Sequence, residues 1–241
     1  MSKNKNPNSN NNNPNSNNNN FKILQGDALL QLQFVRTESI DCVFTSPEPP
    51  VMYEELLQIE LIMQQLPRVL KQTGSIWVNM SDYHNVDGIL AAIPERFLYD
   101  MVVEHGWKLI NTIIWDRTAS LYPCDFDSAR RFRRDHEYLY WFVKDVDRYY
   151  FKPDANASDI GHSVISIRYE EPKQGVFESG FPTELIERTA LLTTPPGGRI
   201  LDPFAGTATT GVVALQAGRQ FLGIESNPAL IPKINKRLLL D

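Results

Sequence analysis

The residues with the most evident chemical potential lie near the C-terminus, where two strand-like runs each end in an acidic side chain. The first run ends at Asp202 and enters a turn of small residues, 203–210, before a helix begins. The second run ends at Glu225. In a parallel α/β sheet, an acidic residue at the end of the strand that follows such a turn binds the ribose hydroxyls of a nucleoside. The two residues therefore predict a nucleoside-cofactor site.

The composition of the turn indicates which cofactor would bind. No lysine follows Gly206, although a phosphate-binding P-loop requires one. The small residues Ala205, Gly206 and Ala208 also depart from the glycine fingerprint that binds the pyrophosphate of a dinucleotide. An acidic residue at the start of the turn favours a cationic ligand instead, and S-adenosylmethionine carries an ammonium and a sulfonium. The alternative interpretation is an ordinary strand-to-helix turn without a ligand.

The elements that would position these residues alternate between strands and helices. The predicted elements are strand 22–25, a short helix carrying Leu29, Leu30, Leu32 and Phe34, strand 41–45, helix 53–70 stopped by Thr73 and Gly74, strand 75–78, helix 94–105 and strand 109–115. Alternating units of this kind predict an α/β protein with a mostly parallel sheet covered by helices on both faces. Residues 116–175 look different, because a strand at 137–143, with which 148–151 could pair, is surrounded by irregular polar sequence. We interpret this stretch as an insert.

The composition limits the class of protein. A chain of 241 residues is long enough for one domain of this type with a small insert. No apolar run approaches the roughly 20 residues of a membrane helix, and the N-terminus is too polar for a signal peptide. The two cysteines, Cys42 and Cys124, form no disulfide or metal-binding pattern. We therefore expect a cytoplasmic protein without a metal.

The N-terminal segment differs in composition from the rest of the chain. Twelve of the first 20 residues are asparagine, and such a segment cannot bury enough apolar surface to offset its ordering entropy. Residues 1–20 are therefore predicted to form a disordered tail. Either an inert extension or a segment that binds a partner would have this composition.

The charge distribution is relevant to a nucleic-acid partner. The net charge of −5 argues against a protein that coats nucleic acid nonspecifically. Locally, however, four arginines surround Phe132, namely Arg130, Arg131, Arg133 and Arg134. Arginines in such a run can bind backbone phosphates or guanine edges. A solvated face that forms ion pairs is the alternative.

The carboxyl ends of parallel strands form the ligand crevice of an open α/β sheet. This rule predicts that residues from opposite ends of the chain converge at one edge of the sheet. They are Asp27, the loop at Ser46, Asp202 and Glu225.

In these features the chain resembles a known family, the amino-methylating DNA methyltransferases of the permuted β type, which act on cytosine N4 or adenine N6. The resemblance is carried by Gly26-Asp-Ala-Leu29, by Asp41-Cys-Val-Phe-Thr-Ser-Pro47, by Arg134-Asp-His-Glu-Tyr138 with Tyr149-Tyr-Phe151, and by the stretch from Phe181-Pro182 through Asp202-Pro-Phe-Ala-Gly206 to Glu225. It implies a Rossmann-like methyltransferase domain over 21–241. Within this domain, the catalytic half would span residues 21–115. A small target-recognition insert would follow at 116–175, and the cofactor half would span 176–241. The resemblance also implies that duplex DNA is a partner and that a cognate restriction endonuclease is a candidate partner.

The resemblance also implies roles for individual residues. S-adenosylmethionine would bind near Phe181, Asp202, Phe204, Ala205, Gly206, Thr207 and Glu225, with Asp27 facing the adenine amino group. The target base must leave the helix to reach the site. Its amine is a poor nucleophile, because its lone pair is delocalised into the ring. The Ser46 hydroxyl and the Pro47 carbonyl would accept its two N–H bonds and direct the lone pair at the sulfonium methyl.

The catalytic loop departs from the family pattern, in which Ser, Asp or Asn is followed by two prolines and an aromatic residue. This chain has Ser46-Pro47-Glu48-Pro49. Loss of the stacking ring would weaken capture of the base by about 1–3 kcal/mol unless Tyr53 or another ring replaces it. Glu48 could accept a bond from the amine or place an uncompensated charge beside the site. Lesser departures are Ala208 in place of a glycine, where the β-carbon could crowd the cofactor, and Phe177 in place of a histidine.

The serine that opens the loop and the tryptophan-rich middle segment resemble those of family members that act on cytosine N4 rather than adenine N6, so the resemblance favours cytosine N4 as the target. Two alternatives follow from the departures and from the versatility of the fold. One is a module that binds DNA or the cofactor without catalysis. The other is a methyltransferase that acts on amines of RNA or protein.

Overall fold

The computed structural model of the protein describes residues 20–48, 53–117, 132, 134–153, 162–168 and 181–240. In this part of the chain eight strands form one sheet. The strands are β1 (Phe21–Gln25), β2 (Ile40–Thr45), β3 (Leu70–Met80), β4 (Lys108–Asp116), β5 (His136–Val143), β6 (Val164–Ser166), β7 (Arg199–Asp202) and β8 (Gln220–Glu225). The helices are α1 (Ala28–Leu32), α2 (Tyr53–Val69), α3 (Ile93–Tyr99), α4 (Thr183–Glu187), α5 (Thr209–Gln216) and α6 (Ile231–Leu240), with a π-helical turn at Asp100–Glu104 after α3.

The sheet is mostly parallel, as the alternating elements predicted. Its strand order is β1-β8-β7-β2-β3-β5-β4-β6, and only β5 runs antiparallel to its neighbours. The C-terminal strands are inserted among the N-terminal ones, since β7 pairs with β2 and β8 pairs with β1. The carboxyl ends of β1, β2, β7 and β8 therefore lie on one edge. The first residues of β5 reach the same edge because this strand runs in the opposite direction.

Two apolar clusters cover the faces of the sheet. On one face α1, α2 and α3 bury side chains such as Leu32, Leu56 and Phe97. On the other face α4, α5 and α6 bury Leu185, Val212 and Leu238. The second cluster also contains the three buried tryptophans of the central strands, Trp77, Trp115 and Trp141. Both faces of the sheet are thus covered by apolar side chains.

Several predicted details are wrong. Helix α1 ends at Leu32, and Phe34 lies in the following turn with 80% of its surface exposed. Helix α2 ends at Val69 and β3 begins with the next residue, so that Thr73 lies inside the strand, where the register with β2 shifts. Residues 148–151 do not form a strand. Instead the Tyr149 ring packs edge-on against Trp141, and the Tyr150 amide donates to the Thr73 carbonyl at 2.8 Å.

The predicted insert contains a strand that the sequence did not indicate. Residues Val164–Ser166 form β6, which pairs in parallel with Ile114–Asp116 of β4 at the edge of the sheet. A strand of three residues is too short to show an alternating pattern.

None of the helices in the described ranges has the length and apolar character of a membrane span.

Candidate active site

Asp202, at the end of β7, lies at the centre of the site. Its side chain is 2% exposed, and both carboxylate oxygens accept hydrogen bonds. Oδ1 accepts from the Thr45 hydroxyl at 2.8 Å and from the Phe204 amide at 3.1 Å, while Oδ2 accepts from the Thr210 hydroxyl at 2.8 Å. One carboxylate therefore ties together the end of β2, the turn after β7 and the first turn of α5.

The environment of Asp202 changes its acidity. Burial raises the pKa of this carboxyl to about 6, and the negative charge of Glu225 acts in the same direction. The hydrogen bonds from Thr210, Thr45 and the Phe204 amide lower the pKa and only partly offset the effect of burial. A cation bound at the turn would favour the ionised form. The site thus has an electrostatic preference for a positively charged ligand.

Glu225 fixes the turn from the neighbouring strand. Its Oε2 accepts from the Gly206 amide at 2.9 Å and its Oε1 from the Asn227 amide at 2.7 Å. Each carboxylate oxygen retains acceptor capacity for a further donor, such as a hydroxyl. Gly206 has φ +54°, and a β-carbon built on it would meet only the Phe204 carbonyl, at 3.9 Å. A ligand can therefore approach the backbone of the turn closely at this position.

The N-terminal part of the chain joins the same edge. The Gly26 amide donates to the Glu225 carbonyl at 2.9 Å, so Asp27 follows directly on the contact between β1 and β8. Asp27 Oδ1 accepts from the Leu30 amide at 3.0 Å and caps α1. Phe181 is buried with its ring centroid 5.4 Å from that of Phe44 in β2. The predicted convergence of Asp27, Asp202 and Glu225 is therefore found in the fold.

Other residues of the turn have structural contacts. Ala205 is buried, and its amide donates to the Ile224 carbonyl at 2.9 Å. The backbone oxygen and the hydroxyl of Thr207 accept from Arg237 of α6 at 2.9 and 3.2 Å. Ala208 has φ +61°, a conformation in which glycine is more usual, and its side chain is fully buried in the apolar cluster. Its methyl group therefore packs into the protein core.

The loop after β2 carries the predicted catalytic residues. Ser46 is half-buried, Pro47 is buried and Glu48 is exposed. The Asn79 side-chain amide of β3 donates to Ser46 Oγ at 3.1 Å and to Glu137 Oε2 of β5 at 2.6 Å. Glu137 also forms an ion pair with Arg117 at the end of β4. A polar network across three strands thus ends at the Ser46 hydroxyl.

Sequence reasoning missed Asn79 and Arg117 and gave Glu137 no role beyond its place in the stretch Arg134–Tyr138 that carries the resemblance. The available signal was a single amide side chain within the apolar strand Ser75–Met80. Buried polar groups in a strand need partners, so Asn79 indicates that one lies on an adjacent strand.

Comparison with known proteins shows the family of this chain. Residues 53–236 match the family described as DNA methylase. The chain belongs to this family. Membership confirms the resemblance and the class of enzyme, a DNA methyltransferase that uses S-adenosylmethionine.

Relatives of this DNA methylase include the Type II methyltransferase M.Cfr9I of Citrobacter freundii, which is 29% identical over 90% of this chain and 87% of the relative. The Type II methyltransferase M.HinfI of Haemophilus influenzae is 30% identical over 90% of this chain and 67% of the relative. Among solved structures, the PvuII DNA methyltransferase (cytosine-N4-specific) has a TM-score of 0.79 at 22% identity, covering 90% of this chain and 86% of the other. This similarity confirms the predicted methyltransferase fold.

Several predicted site residues of the DNA methylase lie outside the described residues. They are Pro49 of the loop predicted to be catalytic and Arg130, Arg131 and Arg133 of the basic run. Cys124 and Phe177, which the sequence analysis also named, lie outside the described residues as well. The side chain of Tyr53, which begins α2, also lies outside the description. Arg134 is described and exposed, two residues before β5 begins. It therefore precedes the strand that brings Glu137 to the edge of the sheet where Ser46 lies.

Proposed function

We propose that this DNA methylase transfers a methyl group to the N4 amine of a cytosine that has left duplex DNA. The observation that carries the proposal is the hydrogen bond between Thr45 and Asp202. Thr45 directly precedes Ser46, and Asp202 opens the turn at which the cofactor would bind. The bond therefore holds the loop for the amine beside the loop for the methyl donor, which is the arrangement that methyl transfer between two bound groups requires.

The residues at the turn fit S-adenosylmethionine. Glu225, which anchors Gly206, has acceptor capacity left for the ribose hydroxyls, and the open space at Gly206 allows close approach. Asp27 would accept from the adenine amine, and Phe181 would line the site. Asp202 would supply negative charge near the cationic part of the ligand. When bound, the cofactor supplies an electrophilic methyl group on sulfur.

The remaining chemistry belongs to residues of the chain. Ser46 Oγ and the Pro47 carbonyl would accept the two N–H bonds of the amine, which favours a pyramidal nitrogen with its lone pair free to attack. Methyl transfer would form the bond between this nitrogen and the methyl carbon and break the carbon–sulfur bond, and one amine proton would pass to water. Preorganised acceptors contribute to the rate because they need no rearrangement during the reaction.

Two observations support cytosine N4 as the target. The loop opens with a serine, and the solved structure with a TM-score of 0.79 is of a cytosine-N4-specific enzyme. The departure at Glu48 is compatible with activity, because this side chain is exposed and its charge stays hydrated. A ring that stacks on the base would come from Tyr53 in place of the missing aromatic residue.

The insert 116–175 would recognise the DNA sequence. Its arginines, Arg130, Arg131, Arg133 and Arg134, would bind phosphates or guanines, and Arg134 is exposed at the base of β5, where such contacts are accessible. We further propose a cognate restriction endonuclease as partner. Methylated DNA would resist cleavage by that enzyme.

The test is transfer of labelled methyl groups from S-adenosylmethionine to mixed-sequence duplex DNA, followed by mass spectrometry of the digested nucleosides. We expect N4-methylcytosine from the unchanged protein and none from Ser46→Ala. N6-methyladenine would show that cytosine is the wrong target base, while methyl transfer to an exocyclic amine of DNA is the correct reaction. Binding of the cofactor without any modified nucleoside would favour a noncatalytic module, and modification of RNA or protein alone would favour a different substrate.

A further inference from the structure

We propose that Asn79 and Glu137 are positioning residues that set the hydrogen-bond direction at Ser46. In this arrangement Ser46 Oγ receives a hydrogen bond from the protein and keeps its own proton for the target base. The inference rests on the proposed role of Ser46 in binding the amine, and it adds two residues that the loop sequence does not contain.

The direction of the hydrogen bonds follows from the chemistry of the three side chains. Asn79 is 2% exposed and Glu137 is 9% exposed, so neither side chain exchanges its partners freely with water. A carboxylate only accepts hydrogen bonds, and therefore the Asn79 amide nitrogen must face Glu137 Oε2, 2.6 Å away. The same nitrogen carries a second hydrogen, which is donated to Ser46 Oγ at 3.1 Å. Rotation of the amide would place its oxygen against the carboxylate, which is repulsive.

The carboxylate that imposes this direction is itself anchored. Glu137 forms an ion pair with Arg117, whose guanidinium lies 5.2 Å from the centre of the Trp115 ring. Glu137 is paired with Trp115 across the β4–β5 ladder, and β5 is in turn paired with β3, which carries Asn79. The network is therefore built on three hydrogen-bonded strands. Groups held on rigid elements keep their orientation better than groups on loops.

The consequence for the base follows from the capacity of a hydroxyl, which has one proton and two lone pairs. Asn79 occupies one lone pair of Ser46 Oγ. The other lone pair remains for an amine N–H, and the proton remains for an acceptor. Cytosine and adenine both present an amine beside a ring nitrogen that accepts a hydrogen bond. A Ser46 oriented in this way matches the edge of either base.

The sharpest test is an exchange of the two functional groups in the double variant Asn79→Asp with Glu137→Gln. It preserves side-chain sizes, net charge and a hydrogen bond between the same two positions, but it reverses the direction of that bond. Ser46 then faces a carboxylate and must donate its proton to it. We expect kcat to fall by about 10–100-fold, as for a misplaced reacting group, with KM for S-adenosylmethionine and the melting temperature nearly unchanged. Unaltered kcat in the double variant would show that the direction of the bond is irrelevant.

A matched control is Asn85→Asp, which makes the same chemical change at an exposed asparagine of the loop after β3. Asn85 uses its side-chain oxygen as an acceptor for the Asp87 and Ile89 amides, and aspartate retains that function. We expect unchanged kcat. A comparable loss of kcat in this control would show that an asparagine-to-aspartate change remote from Ser46 is enough to lower kcat, and it would overturn the inference.

A second readout does not depend on methyl transfer. In protein labelled with ¹⁵N-asparagine, the side-chain amide signal that disappears in Asn79→Asp identifies Asn79. We expect this signal to be shifted downfield and protected from exchange, and to lose both properties in Glu137→Gln. An unaltered signal in Glu137→Gln overturns the inference. Absence of methylation by the unchanged protein would instead contradict the proposed function, while the amide signal still decides the orientation of Asn79.

Discussion

The Thr45 hydroxyl donates to Asp202 Oδ1 at 2.8 Å, and this hydrogen bond joins two residues that are separated by 157 positions in the chain. Thr45 is the last residue of β2, and Asp202 is the last residue of β7, which pairs with β2. The contact links the loop that begins at Ser46 to the turn that contains Gly206.

Thr45→Val removes the hydroxyl at nearly constant volume. We expect the free energy of unfolding to fall by about 1–3 kcal/mol, because a buried carboxylate oxygen loses one of its partners. Affinity for S-adenosylmethionine should fall as well, since the turn is no longer held by β2. Urea denaturation and titration calorimetry measure the two effects. The same change at Thr112, a half-buried threonine of β4, should alter neither quantity appreciably; equal effects at both positions would contradict the role of the contact.

Asp202→Asn should change how stability depends on pH. The pKa of Asp202 is raised from 3.8 to about 6 in the folded protein, so the folded state binds the proton more tightly than the unfolded state. The corresponding stabilisation is present below about pH 4 and is lost as the pH rises to about 6. Asparagine does not ionise. Above pH 6 the variant should therefore be more stable than the unchanged protein by up to about 3 kcal/mol, with little difference at pH 4.

The same substitution should weaken the cofactor site. Loss of the carboxylate removes the charge that favours a cationic ligand, so affinity for S-adenosylmethionine should fall while stability at pH 8 rises. In the unchanged protein, binding below pH 6 should release a proton, which calorimetry in buffers of different ionisation enthalpy detects. An Asp202→Asn variant that binds the cofactor normally would exclude an electrostatic role for this residue.

Gly206→Ala separates backbone strain from cofactor contact. Gly206 and Gly218 both have positive φ, +54° and +68°, and a β-carbon at either position meets no protein atom closer than 3.9 Å. Each alanine should cost about 1–2 kcal/mol of stability through backbone strain. Only Gly206→Ala should also weaken cofactor binding, by about tenfold, because its methyl group occupies the approach to the turn. Equal affinities in the two variants, measured by calorimetry, would place the cofactor elsewhere.

Glu60→Gln should stabilise the protein at neutral and alkaline pH. Glu60 of α2 is 7% exposed, and burial raises its pKa to about 7, with the hydrogen bond and charge of Asp100 acting in the same direction. Its contribution to stability is therefore complete below about pH 4.5 and is lost as the pH rises to about 7. At pH 8 the variant should gain up to about 3 kcal/mol in denaturant unfolding. The exposed Glu104 provides the control, and a similar gain in Glu104→Gln would point to net charge as the cause.

The sequence alone determined the parts of this protein that depend on local pattern. Strands and helices have characteristic apolar periods, and therefore β1, β2 and α2 were predicted within a few residues of their observed bounds. The acidic residues Asp202 and Glu225 were recognisable because each is the last residue of its strand. Their place on a common edge followed from the direction of parallel strands.

Only the tertiary structure decided which side chains meet across the sheet. Asn79 and Glu137 are 58 positions apart, and their contact depends on the register between β3 and β5, which no local period encodes. Likewise the burial of Asp202 results from packing by elements far apart in the chain, and that burial raises its pKa. Local periodicity determines which elements form, whereas strand register and burial determine the chemistry at their ends.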